Sequence, residues 1–120
     1  MSEASLFDRI GGKNAVNAAV DLFYDKVLAD PHINHFFTNV DMPRQISHQK
    51  AFLTYAFGGM QSYDGQSMRE AHAHLPLTEE HFTAVAQNLH ATLEELNLPE
   101  NLINEIMAIA ASTHDDVLNL

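Results

Sequence analysis

Residues 45–57 read Gln45-Ile46-Ser47-His48-Gln49-Lys50-Ala51-Phe52-Leu53-Thr54-Tyr55-Ala56-Phe57, and the spacing within that stretch decides what fold the chain can adopt. Gln45, His48, Gln49, Phe52, Leu53 and Ala56 recur at intervals of three and four, which places all of them on one face of a helix. Half of that inward face is polar. A buried polar group without a partner costs about 1–3 kcal/mol, so two readings stand. Either the face lines a cavity that holds a polar ligand, or this end of the helix projects past the core into water.

Downstream, Met68-Arg69-Glu70-Ala71-His72-Ala73-His74-Leu75 sets His72 on the same helical stripe as Met68 and Leu75. An imidazole held against an apolar stripe is where a buried cofactor finds a ligand. Taken alone, such a histidine is more often a core imidazole bonded to a carbonyl. Five further inward or cavity-edge candidates, Tyr24, Phe37, Gln45, His48 and Gln49, shift the balance toward a ligand. No histidine lies four residues from His48, and His72 and His74 are two apart, so neither segment supplies a local zinc pair.

Outward from these segments the periodicity is helical nearly throughout, with no repeat and no linker, which predicts one all-α domain over residues 1–120. Ser5 caps a short first helix that Gly11-Gly12 ends. The second carries Val16, Ala19, Val20, Phe23, Tyr24, Val27 and Leu28 on one stripe. Asp30-Pro31 starts a short turn leading to Phe36-Phe37, and Asp41 caps a helix from Met42 to Phe57 that Gly58-Gly59 stops. The stretch through Tyr63, Asp64 and Gly65 reads as irregular. Thr78 caps a long helix with Phe82, Val85, Ala86, Leu89, Leu93 and Leu96 on its stripe. After a break from Asn97 to Pro99, the last helix carries Leu102, Ile103, Ile106, Met107, Ala110, His114 and Val117, so His114 is expected to face inward.

Composition narrows the function classes. A chain of 120 residues buries roughly two-thirds of its unfolded surface and needs no disulfide to fold. The absence of cysteine removes thiolate catalysis, zinc-thiolate sites and redox pairs. A net charge of −10 with six Lys and Arg argues against a nucleic acid or an anionic membrane as partner. The longest apolar run, Ile106 to Ala111, is too short to span a bilayer, and the start carries no basic or apolar leader, so the expectation is a soluble cytoplasmic protein. Arg44, Lys50 and Arg69 come from the segments that hold His48 and His72, and are the expected charge partners of any anionic ligand. The histidines at 32, 35, 74, 81 and 90 read as surface or boundary residues.

Phe23-Tyr24, His35-Phe36-Phe37, Gln45 through Lys50, Thr54-Tyr55-Ala56-Phe57-Gly58-Gly59 and Met68 through His72 together resemble the group I truncated haemoglobins, most of all their cyanobacterial members. The likeness runs from Leu6-Phe7-Asp8 to Asp116-Val117-Leu118-Asn119. It implies a truncated globin, a two-over-two α-helical sandwich around haem b. His72 matches the proximal iron ligand and Phe37 the aromatic that packs on the porphyrin. Tyr24, Gln45 and Gln49 match the distal groups that stabilise bound ligand, and His48 the sixth iron ligand of the cyanobacterial type. Arg44 is the expected propionate partner, because a guanidinium pairs with a carboxylate; Arg69 is a second candidate, and Phe52 and Met68 are expected to contact the haem.

The sequence departs from the resembled pattern at two places. Between His72 and Thr78 stand only Ala73-His74-Leu75-Pro76-Leu77, a shorter loop than in the relatives it resembles. His114 lies near a histidine that in those relatives bonds covalently to a haem vinyl group, but its spacing is one residue short. A one-residue shift turns a side chain by about 100° on a helix, which a local unwinding near Ser112-Thr113 would offset.

The resemblance implies binding of dioxygen, nitric oxide and carbon monoxide by a monomer, bis-histidyl when no external ligand is present. It also implies nitric oxide dioxygenation: ferrous iron binds dioxygen, nitric oxide is oxidised to nitrate, and a cellular reductase restores ferrous iron. The alternatives are a dioxygen carrier or sensor without turnover, and a haem-free helical interaction module.

Overall fold

The computed structural model describes residues 4–60, 72, 75–118 and 120. Its elements are α1 (Leu6–Ile10), α2 (Gly12–Leu28), a 3-10 turn (Asn34–Phe37), α3 (Met42–Ala56), α4 (Glu79–Glu95), α5 (Glu100–Ser112) and α6 (His114–Leu118). Among the described residues the regular structure is entirely helical. The expectations for Met68, Arg69, His74 and the stretch through Tyr63 to Gly65 fall outside them.

The helix starts follow the capping residues. Ser5 Oγ accepts from the Asp8 N–H at 3.2 Å, and an Asp41 carboxylate oxygen accepts from the Arg44 N–H at 3.3 Å, each satisfying a first-turn donor. At α4 the Thr78 N–H donates to His81 Nδ1 at 3.0 Å. His81, read from the sequence as a boundary residue without a task, therefore takes the part that glutamate or glutamine plays in a capping box.

Val16, Val20, Tyr24 and Val27 of α2 are buried, and α2 packs on α1, α3, α4 and the 3-10 turn. Burying each valine contributes about 1.5–3 kcal/mol, so this stripe is the spine of the core. Leu28, placed on that stripe by its spacing, is instead 42% exposed where the helix ends. The other core residues include Ile33 ahead of the 3-10 turn, Leu93 of α4, and Leu102, Ile103 and Ile106 of α5. Cross-links hold the frame: Arg9 donates to both Glu105 carboxylate oxygens at 2.6 and 2.9 Å, Lys26 pairs with Glu95 at 2.9 Å, and Asn88 Nδ2 donates to Asp30 at 2.9 Å. The Asn88 bond, with the His32 amide, holds the Asp30 carboxyl below the usual carboxylate range.

The end of α3 is tied to the start of α1. The Phe7 N–H donates to the Phe57 carbonyl at 2.9 Å, and a side chain at Gly59 would fall 2.7 Å from Phe7 Cγ. Gly58 takes φ +88°, the left-handed geometry that closes a helix C-terminus.

The last helix departs from the continuous run the periodicity predicts. It breaks at Thr113, where Ser112 Oγ donates to the Ile109 carbonyl at 2.5 Å and Thr113 Oγ1 to the Ala110 carbonyl at 2.7 Å. Such local side-chain bonds compete with the helical ladder, and α6 starts anew at His114.

Candidate haem site

Two helices wall the site, and neither spends its apolar face entirely on the protein core. In α3 no side chain is fully buried, although Phe52, Leu53 and Ala56 are half-buried beside Gln45 and Gln49. In α4 the fully buried residues are Ala84, Thr92 and Leu93, whereas Phe82, Ala86 and Leu89 are half-buried and Val85 is 37% exposed. Of the stripe read from spacing only Leu93 is fully buried; the other fully buried residues, Ala84 and Thr92, lie off it. Close packing links α2 to both helices, and α3 and α4 are not themselves a closely packed pair.

Tyr24 is the most deeply buried of the candidate residues described. It is 4% exposed, with Phe23 edge-on at 5.2 Å and Phe37 edge-on at 5.9 Å between ring centroids. Gln45 Nε2 donates to the Tyr24 hydroxyl oxygen at 3.2 Å. Burial pushes the phenol pKa up, and the Gln45 hydrogen bond offsets part of that rise. A neutral phenol whose oxygen accepts from the amide keeps its own proton to donate. Tyr24, Phe37 and Gln45, drawn from three separate elements, are thus brought together.

The other candidates are placed less uniformly. Gln49 and Phe52 are half-buried on α3 with Gln45, whereas His48, expected on the same inward face, is exposed. The α3 side chains that pack on the core are Met42, Ile46, Leu53 and Ala56, a face offset along the helix from the one that carries Gln45, His48 and Phe52. Arg44 is exposed in the first turn of α3, where a propionate could reach it. Lys50, a sequence candidate for an anionic ligand, instead pairs with Asp21 at 3.0 Å.

His72 is helical and half-buried, and its carbonyl accepts from the Leu75 N–H at 3.1 Å. Among the described residues no cluster of three or more His, Cys, Asp or Glu could hold a metal ion, so a bare-ion site is not what these residues build. A flat apolar ring that carries its own iron fits the donor set better: one imidazole from His72, half-buried apolar side chains from α3 and α4, and the Tyr24–Gln45 pair for a polar ligand.

His114 does not sit on a purely apolar stripe. Its Nε2 lies 2.6 Å from a Glu79 carboxylate oxygen and its Nδ1 2.9 Å from one of Asp115, with Phe82 edge-on at 5.0 Å. These carboxylates, Asp115 most and then Glu79, raise the imidazole pKa. Sequence reading missed Glu79. Its only signal was position, as the first residue of α4, directly after the loop that follows His72.

A helical frame that sets half-buried His72 and the Tyr24–Gln45 pair beside the half-buried apolar residues of α3 and α4 fits a haem-binding globin. The sequence matches the family of bacterial-like globins over residues 5–119. It is 55% identical to the group 1 truncated haemoglobin of a Synechocystis species, covering 97% of this chain and 98% of that protein. It is 45% identical to the group 1 truncated haemoglobin of Tetrahymena pyriformis, covering 95% and 94%. Among solved structures, the 2/2 haemoglobin of Synechococcus sp. PCC 7002, determined in the cyanomet state with covalently attached haem, superposes with a TM-score of 0.94 at 50% identity, covering 98% of this chain and 100% of that one. The chain belongs to the bacterial-like globin family, as a group 1 truncated haemoglobin. Haem is accordingly its cofactor, which sets aside a haem-free interaction module. No helix among the described residues is long and apolar enough to cross a membrane.

Proposed function

We propose that this chain is a single globin domain that binds dioxygen, nitric oxide and carbon monoxide on haem b and uses the bound dioxygen to oxidise nitric oxide. Haem, when bound, supplies an iron that takes a diatomic ligand and cycles between ferric and ferrous states. The observation that carries the reading is the Gln45 to Tyr24 hydrogen bond of 3.2 Å, because it leaves a buried phenol proton free to donate to a ligand that bears partial negative charge.

His72 is the iron-anchoring residue. Phe37, Phe52 and Met68 contact the ring, and Arg44 and Arg69 pair with the propionates. Gln49 shares the half-buried face of α3 with Gln45 and extends the distal hydrogen-bonding wall. His48, exposed on the same helix as Gln45 and Gln49, would be the second protein ligand to the iron. His114 bonds covalently to a haem vinyl carbon. The break at Thr113 supports this, since it frees the ring from the helical phase that spacing alone imposes.

The reaction balances as one nitric oxide, one dioxygen and one electron giving nitrate, so a cellular reductase must supply the electron. The working protein is a cytoplasmic monomer. An absorption spectrum of the purified protein with and without dithionite tests haem and its ligation, and a ferrous low-spin bis-histidyl spectrum is expected. Mixing the oxy form with nitric oxide should give nitrate rapidly, with repeated turnover when a reductase is present. An oxy form that survives stoichiometric nitric oxide would leave a carrier or sensor.

A further inference from the structure

The ring of His114 is held on two sides by carboxylates from different elements. Glu79 at the start of α4 meets Nε2 at 2.6 Å, and Asp115 of α6 meets Nδ1 at 2.9 Å, while the edge-on Phe82 ring limits its tilt. A ring that faces carboxylates through both nitrogens is held as the imidazolium, which donates from both and has no lone pair for forming a bond. Its pKa is raised by the same two groups.

We propose that the Glu79–His114–Asp115 clamp gates the covalent attachment of haem, with Glu79 acting as a positioning residue that must release Nε2 before the bond forms. This inference rests on the reading that His114 is the attachment residue. After release, the imidazolium gives one proton to solvent. The N–H bond of the neutral ring then adds across the vinyl C=C: one N–C and one C–H bond form, the N–H bond and the π bond break, and no electrons are gained or lost. The gate ties attachment to the start of α4, where Glu79 is the first helical residue.

The test uses the haem-loaded full chain as wild type, Glu79→Gln, Asp115→Asn and His114→Ala. Dithionite holds the iron ferrous, and attachment is followed by haem resistant to acid extraction and by intact mass. Glutamine keeps the size of Glu79 without its charge, so Glu79→Gln should attach haem roughly threefold faster or more, about the strength of one exposed ion pair. Its His114 ring should titrate at lower pH by NMR, and Asp115→Asn should act in the same direction. An equal or slower rate in Glu79→Gln, or an unchanged His114 titration, overturns the gate while attachment itself stands. Haem fully extractable from wild type and every variant overturns the attachment reading and the gate with it.

Discussion

Gln45 Nε2 and the Tyr24 hydroxyl oxygen stand 3.2 Å apart across α3 and α2, with the amide as donor and the phenol as acceptor. The direction of that bond leaves the phenol proton free. Replacing Tyr24 with Phe deletes the donor to bound dioxygen, and dissociation should accelerate by about tenfold or more, the value of one hydrogen bond to a charged partner. Replacing Gln45 with Glu should act the same way for a different reason: an ionised carboxylate only accepts, so the Tyr24 O–H donates to it instead of to the bound ligand. Stopped-flow measurement of dioxygen release checks both, and unchanged rates would remove the pair from the distal network.

Substituting His72 by Ala should abolish stable haem loading, or leave iron restored only by added imidazole. Cysteine is absent from the sequence, so no thiolate can take the place of the imidazole. Titration of the purified variant with haem, followed by its absorption spectrum, decides it. A spectrum like that of the wild type would assign the anchoring nitrogen elsewhere.

His48 stands exposed while Gln45 and Gln49 are half-buried on the same helix, and an internal bond from it to iron would close the site to other ligands. An incoming ligand then competes with His48, and apparent affinity is lowered by the fraction of molecules in which the site is open. His48→Leu should give five-coordinate, high-spin ferrous iron and faster carbon monoxide binding. A wild-type ferrous spectrum that is already high-spin would count against His48 as a ligand.

Gly59 packs where a Cβ would come within 2.7 to 2.9 Å of three carbons of the Phe7 ring. Gly59→Ala therefore forces Phe7 off its seat between α1 and the end of α3, and should lower stability by about 1–3 kcal/mol, the usual cost of overpacking. Pairing it with Phe7→Leu, which opens room for the methyl, should recover part of the loss in urea unfolding. A Gly59→Ala variant as stable as the parent would mean that the α1 contact is slack.

The sequence by itself determined the helical class, the capping residues Ser5, Asp41 and Thr78, and the grouping of Gln45 with Gln49 and Phe52 on one face. These are local properties: helical period and first-turn donors depend on residues within a turn or two. The motifs spread from Tyr24 to His72 also carried the family. Tertiary structure alone decided which side chains meet. It joined Gln45 to Tyr24 and added Ala84 and Thr92 to Leu93 as the most deeply buried residues of α4. It drew Lys50 to Asp21 and His114 to Glu79. Each of those outcomes depends on the rotation of one helix against another, which is fixed by packing between residues far apart in the chain and has no counterpart in a local repeat.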